Sequence, residues 1–450
     1  MRKFRKSKSD KGNVGPLGAS YWKLWSATAI SNLGDGVSMV AYPWLASAIT
    51  RSPILIALAA VASRLPWLIF TLPAGVITDR FDRKKIIVAM DAARGFLTVF
   101  VAVMVYWKAD SLPKLNDLTN LTDLKTNWPL YIVAITASFL FGCAEVLRDN
   151  TAQTFMPSVV KEEQLEKANG QMWSAESLTN SFIGPPLGSF LIAIAVFVPF
   201  FFDAASFFVA VALLSTITTI TKPITNVDNT KPKVKPNFRA EIKEGFDWLW
   251  SHELLRPMAI ILGSMNGISS LVGAAFILFA QEILHTSVLE FAILGTSGAI
   301  GGIIGGIYGP KIAKKIGSGP SLFLTLLIMP IFEIAIGFVS SWEVVWLLSG
   351  ITTIFAVLWN VITVSLRQSI IPTHLLGRVN SVYRFFAWGT IPIGLLIGGG
   401  LITLMEHFTS REWALRTPYF VTGALGFIIL AFAAPRLTTA KIEAARAQSK

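Results

Sequence analysis

Residues 75 to 85 read Gly75-Val76-Ile77-Thr78-Asp79-Arg80-Phe81-Asp82-Arg83-Lys84-Lys85, a short basic stretch between two long apolar ones, Ser52 to Ile77 and Ile86 to Trp107. Lys and Arg are retained on the cytoplasmic side of a membrane, so a tight basic turn between two apolar segments marks orientation. Working outward, apolar runs of about 20 residues recur towards both ends of the chain. Each is long enough, as helix, to cross a hydrocarbon core of about 30 Å.

Composition agrees. Of 450 residues, 53% are hydrophobic and 15% charged, where a soluble domain carries roughly a quarter charged; mean hydropathy is +0.58. The chain therefore reads as a polytopic membrane protein whose first partner is the lipid bilayer. The net charge of +12 falls in alternate short loops, as orientation requires, so no nucleic-acid partner is expected. One cysteine, Cys143, excludes an intrachain disulfide, and four scattered histidines offer no metal site. No G-x-x-x-x-G-K-[ST] loop is present; Gly317-Ser318-Gly319 lacks the lysine. No cofactor is expected, and uphill work would draw on an ion gradient or another subunit. The basic start, Met1 to Asn13, precedes an apolar stretch too long for a signal peptide, so an uncleaved first helix is expected.

The predicted organisation is a tail over 1–15, a six-helix bundle over 16–221, a linker with an amphipathic helix over 222–254, a second six-helix bundle over 255–436, and a tail over 437–450. First-half spans are expected at about 21–45, 53–77, 85–107, 128–155, 168–196 and 200–221. Second-half spans are expected at about 255–281, 289–313, 320–339, 342–366, 380–405 and 415–435. In the linker, Ile242, Phe246, Leu249 and Trp250 form one apolar stripe, which predicts a helix lying flat on the inner membrane face. Basic residues Lys311, Lys314, Lys315, Arg367, Arg378, Arg436, Lys441 and Arg446 fall on one side, whereas the other carries Glu282, Glu290, Glu343, Glu406 and Glu412. Both termini are expected in the cytoplasm of a multi-pass protein of the inner (plasma) membrane.

The two halves repeat. Gly305 and Gly309 precede Lys314-Lys315 as Gly75 and Asp79 precede Arg83-Lys84, although Gly309 replaces the aspartate and Pro310 stands near the place of Arg80. Gln153, Pro157, Asn169 and Gly188 are echoed by Gln368, Pro372, Asn380 and Gly399. Related halves imply a substrate site between them near mid-membrane.

The loop pattern G-x-x-x-D-R-x-x-R-K resembles the loop between helices 2 and 3 of the major facilitator superfamily, and the duplication extends that resemblance over nearly the whole chain. It implies an all-α fold of twelve transmembrane helices in two pseudo-symmetric halves. More narrowly, Ser31-Asn32-Leu33-Gly34-Asp35, Asp79 to Lys85, Pro157…Leu165…Ala168-Asn169 and Leu376-Gly377-Arg378-Val379-Asn380-Ser381 are similar to the enterobactin exporter and macrolide efflux branch. The branch resemblance implies export of a siderophore or drug, commonly in exchange for protons. It also implies a gating role for Gly75, Asp79, Arg80, Arg83 and Lys84, the aspartate capping helix 11 of the other half near Asn380 and latching the outward-open state.

A charge at mid-bilayer costs several kcal/mol unless paired or hydrated, so each acid or base inside a span is a functional suspect. Asp35 lies about 14 residues into the first span, roughly 20 Å deep at 1.5 Å per residue, and Arg64 reaches a similar depth from the other side. A pair between them, either a fixed lock or a proton-carrying group, is expected. Asp91, Arg94, Glu145, Arg148 and Asp149 are expected to form a cytoplasmic charge cluster with the loop. Glu145 is a second proton candidate, and Glu176, Asn266, Trp359 and Asn360 are candidates for the cavity. Glu333 is expected to be a packing acid. Two glycine stripes of the eighth span, Gly298-Gly302-Gly306 and Gly301-Gly305-Gly309, are assigned to close packing or sliding rather than to a ligand site. The expected function is a secondary active, proton-coupled exporter of a small amphipathic compound, acting as a monomer and not an enzyme. The alternatives are an importer or lipid flippase of the same fold, or a non-transporting sensor or assembly protein.

Overall fold

The computed structural model describes residues 16–218, 238–372 and 375–448. The expected N-terminal tail, the linker up to residue 237 and the last two residues lie outside the described residues, as do the side chains of Asp79, Arg80 and Arg446. Sixteen α-helices carry the fold. In the first half these are α1 (Ala19–Ile49), α2 (Pro53–Arg80), α3 (Arg83–Trp107), α4 (Trp128–Phe155), α5 (Leu165–Ser177), α6 (Gly184–Ile194) and α7 (Val198–Ser215). After α8 (Phe238–Ser251) come α9 (Leu255–Gly273), α10 (Phe276–Glu282), α11 (Val288–Ile316), α12 (Ser318–Phe338), α13 (Trp342–Ile370), α14 (Leu376–Met405), α15 (Arg411–Ala433) and α16 (Thr439–Gln448).

Eleven segments are long and apolar enough to cross a membrane. α1 supplies the twelfth span: it runs 31 residues, but Asn32 and Asp35 interrupt its apolar character. Helix starts are tied by side chains, as helix ends with free N–H groups require. Asp82, Asn127, Ser341 and Ser410 accept the backbone N–H of Lys85, Leu130, Val344 and Trp413, and Ser287 with Glu290 forms a capping box on α11.

Four elements differ from the sequence-based expectation. The fifth span is broken by a π turn over Leu178–Ile183, where Gly36 of α1 lets the backbone of Asn180 and Gly184 come close. The seventh span is two helices, interrupted at Ala274 and Ala275. α8 packs on α14 with Leu249 buried, Trp250 stacked 6.0 Å from Phe386 and Glu244 paired with Arg378, while Ile242, Phe246 and Trp250 of the stripe keep exposed surface. The C-terminal tail contains α16, whose Ile442 and Ala445 join the core of the second half. Between α8 and α9, Nδ1 of His252 accepts the N–H of Leu254 and Leu255 at 3.1 and 3.2 Å. That geometry needs an unprotonated nitrogen, and burial pushes the His252 pKa down accordingly.

Within the first half α2 packs on α4, α1 on α7, and α3 on both α4 and α7; within the second, α11 packs on α13, α9 on α14, and α12 on α15. The halves meet through α2 with α14 and α6 with α11. Their cores are distributed unevenly. At the end remote from the termini, one cluster mixes Val40, Trp44 and Ile56 with Leu278, Phe291 and Tyr419, and Ala57 and Val61 meet Ala274 and Leu395. At the end that bears the termini, each buried cluster among the described residues belongs to a single half. Among the described residues, the apolar clusters that join the two halves therefore lie towards the far end.

Only one glycine stripe of α11 packs closely. A Cβ at Gly301 would strike the Gly350 carbonyl and lie 2.9 Å from Thr353 Cβ, whereas one at Gly302 would meet nothing. Gly301→Val is expected to cost about 1–3 kcal/mol by overpacking, lowering the melting temperature read by fluorescence-detected size exclusion; Gly302→Val should melt with the wild type.

Candidate functional site

Two charge networks stand out, one inside the first half and one between the halves. Inside the first half, α3 delivers Asp91 and Arg94 one turn apart, so both side chains share a face. α1 delivers Asp35, and α4 delivers Glu145, Arg148 and Asp149. Arg94 Nη2 donates to Asp35 Oδ1 at 2.6 Å, and Arg94 Nη1 reaches Asp91 Oδ1 at 3.4 Å. Arg148 Nε lies 3.4 Å from Asp91 Oδ1, and its Nη1 donates to Asp149 at 3.1 Å. The Arg94 guanidinium is held between two rings, 4.5 Å from the centre of Phe141 and 4.2 Å from that of Phe207, a favourable cation–π setting once water is gone. Asp91 and Arg94 are buried, while Asp35 keeps 24% of its side-chain surface. Asp35 and Asp149, the latter with 34% of its side-chain surface free, are thus the part-exposed acids of a network whose Asp91, Arg94 and Arg148 are buried.

This arrangement corrects two expectations. The cation beside Asp35 is Arg94 of α3, not Arg64, whose side chain is exposed on α2. And the cavity acid Asp35 and the group Asp91, Arg94, Arg148 and Asp149 are one network rather than two. Glu145 lies beside it, half-buried and without an ion pair among the described residues. Glu176 is half-buried on α5.

The remaining candidates separate. Trp359 is 1% exposed inside the core of the second half, so it packs and does not line a cavity. Asn266 Nδ2 donates to the Ala387 carbonyl at 2.7 Å, joining α9 to α14, and Asn360 is exposed. Glu333 borders a small cavity between α9, α12 and α15 with Met265, Met329 and Thr422. In the basic turn, Arg83 donates to the Thr154 carbonyl and Lys84 to those of Ser215 and Ile217. These two residues tie the turn to α4 and to the chain just after α7.

The second network was not anticipated from the sequence. At the far end Arg51, between α1 and α2, donates to Gln281 at 2.5 Å and to Glu282 at 2.6 Å, both in the other half. Glu282 also accepts from Arg411 at 2.6 Å, Arg411 donates to Glu406 and to the Arg51 carbonyl, and Gln281 donates to Ser47. Arg51 and Glu282 are almost wholly buried. Burial pushes the Arg51 pKa down against the pull of Glu282; an arginine still stays charged. The signal was available in principle: duplication puts the turn holding Arg51 and the turn holding Glu282 at related positions facing one another.

Twelve spans in two halves, joined by apolar clusters towards one end, with a charge network buried inside the first half, define a polytopic membrane protein of the transporter class. The chain belongs to the Major Facilitator Superfamily, whose family model matches residues 24–394; it is a transporter and not an enzyme. It is similar to the multidrug efflux pump Tap of Mycobacterium tuberculosis, 23% identical over 404 residues that cover 88% of this chain and 90% of that one. It is also similar to macrolide efflux protein A of Streptococcus pyogenes, 23% identical over 293 residues covering 64% and 65% respectively. Among solved structures, a bacterial homologue of the iron transporter ferroportin in an inward-facing state superposes with a TM-score of 0.69 at 15% identity, covering 94% of this chain and all of that one. A bacterial homologue of the lysosomal transporter Spinster, also inward-facing, gives 0.66 at 14% identity, covering 97% of this chain and 99% of that one. At such identities these two show the fold alone.

Glu282→Gln leaves the buried Arg51 guanidinium without its carboxylate, while the part-exposed Arg411 keeps Glu406; breaking a buried pair costs about 3–5 kcal/mol. The network joins the halves, so the loss falls on the closed far end. A cysteine at Ala48, buried in the far-end core, should become reactive to a thiol reagent in Glu282→Gln on a Cys143→Ser background. Unchanged labelling would show that the apolar core alone holds this end shut.

Proposed function

We infer that the chain is a secondary active exporter of a small amphipathic, drug-like compound, driven by protons entering in exchange, with its terminus end in the cytoplasm. The observation that carries this reading is the first-half network: a part-exposed carboxylate, Asp35, held by a buried guanidinium inside one half, in a molecule whose apolar clusters join the halves at the far end and stay within single halves at the terminus end. A carboxylate poised between burial and a neighbouring cation is the kind of group that can change protonation as a cleft opens and closes.

The names of the two relatives support efflux and a drug-like cargo. They lend nothing to the siderophore, so the drug is the better-supported cargo. Positive charge at the terminus end, in Arg83, Lys84, Lys311, Lys314, Lys315 and Arg378, supports cytoplasmic termini by the positive-inside rule. Halves joined by apolar clusters at the far end, with single-half clusters at the terminus end, suit an exporter that loads from that side. The latch role of Asp79 rests on the family resemblance, supported by the packing of α2 along α14.

Two experiments test this reading. Cells expressing the chain should accumulate less erythromycin than control cells, and a protonophore should erase the difference. In inverted vesicles, Asp35→Asn should abolish pH-driven erythromycin uptake and leave counterflow in place; full pH-driven uptake in Asp35→Asn would remove Asp35 from coupling. For orientation, a cysteine at Asn120 should react with an impermeant thiol reagent on intact cells and one at Ser318 should not. Labelling at Ser318 would invert the topology.

A further inference from the structure

The first-half network contains a fourth aspartate with no cation of its own. Asp203 sits on α7 after Phe200-Phe201-Phe202, and its side chain is wholly buried. Ser38 of α1 donates to its Oδ2 at 2.6 Å. Its Oδ1 is buried without a hydrogen-bond partner. The groups facing it are few. α1 presents Asp35, Ser38 and Tyr42, α3 presents Arg94, and α6 brings no titratable residue. Arg94 spends its guanidinium on Asp35 and Asp91, and Arg148 spends its own on Asp91 and Asp149. Neither guanidinium is within ion-pair distance of Asp203.

A lone carboxylate so placed would bear the full cost of a buried, unpaired charge, which a proton removes. Ser38 suits both states, because a hydroxyl can donate to a carboxylate or accept from a carboxylic acid. Position 34 is built for this contact: a Cβ on Gly34 would collide with Asp203 Oδ1 and with Ser206 Oγ. The next residue along α1 is Asp35, and Arg94, its partner, lies over Phe207, one turn along α7 from Asp203. Part-exposed Asp35, buried Arg94 and buried Asp203 therefore form one contiguous group running inward from the exposed edge of Asp35.

We propose that Asp203 holds the coupled proton, with Asp35 as the neighbour through which the proton passes between the cleft and α7; this rests on the proton-coupled reading above. A proton from water in the cleft adds to the Asp35 carboxylate and loosens its bond to Arg94. Asp35 then yields that proton to Asp203, recovers its charge and rebinds Arg94. Release runs the same steps backwards, so no other reactant is needed. Asp203 is the store and the Asp35–Arg94 pair is the portal.

Infrared difference spectroscopy of the full chain in lipid nanodiscs tests the store directly. At neutral pH the wild type should show the carbonyl band of a protonated carboxylic acid that Asp203→Asn removes and Asp35→Asn keeps. No such band in the wild type, or a band that survives in Asp203→Asn, overturns the proposal. Should Asp203→Asn fold poorly, Asp203→Glu and Ser38→Ala must each shift the band, and an unshifted band overturns it equally. In inverted vesicles Asp203→Asn should lose pH-driven erythromycin uptake and keep counterflow. Wild-type vesicles without pH-driven uptake would overturn the coupling reading itself. Wild-type uptake that persists undiminished in Asp203→Asn would overturn this proposal alone.

Discussion

The structure depends most on what it costs to hold charge where water is scarce. Arg94 is the centre of that constraint. A guanidinium cannot shed its proton, so once buried it must be surrounded by acceptors. Asp35 and Asp91 supply charge, and the faces of Phe141 and Phe207 supply a π environment. These partners come from α1, α3, α4 and α7. One side chain thereby fixes the relative positions of four helices, in a medium where apolar packing alone does little to distinguish one arrangement from another.

The second half solves its interior differently. Its core at the terminus end is apolar, built from Met258, Leu322, Trp359, Leu366 and Tyr383, and α11 approaches α13 through glycines. The duplicated halves have thus diverged in chemistry while keeping their packing. The charged cluster of one half is set against a mainly apolar core at the same end of the other, in which Arg367 lies over the ring of Tyr383.

The two networks differ in what they hold. The Arg94 network lies within one half and persists whichever way the halves rock. The Arg51–Glu282–Arg411 network spans both halves at the far end, so it exists only while that end is closed. Its charges are strongly desolvated, which makes the closed state specific and also makes it costly to leave half-broken. The apolar contacts of Trp44 with Phe291 beside it are non-directional and tolerate sliding; the ion pairs do not.

Much of the fold was legible in the amino-acid order. Span length, the basic turn at Arg83-Lys84-Lys85 and the echo of Gln153, Pro157, Asn169 and Gly188 each follow from local composition and spacing. Twelve spans in two halves need nothing more, because a bilayer admits few ways to satisfy a backbone. The residues of the first-half network, Asp35, Asp91, Arg94, Arg148 and Asp149, were equally visible as charges inside apolar runs. Asp203 carried the same signal within its run of phenylalanines. What only the tertiary structure decided was partnership: Asp35 with Arg94 and not with Arg64, Arg51 with Glu282 across the halves, Trp359 turned into a core. Depth along a helix is a one-dimensional quantity that sequence supplies. Which face meets which neighbour depends on rotation and tilt, and those are set by packing between helices far apart in the chain.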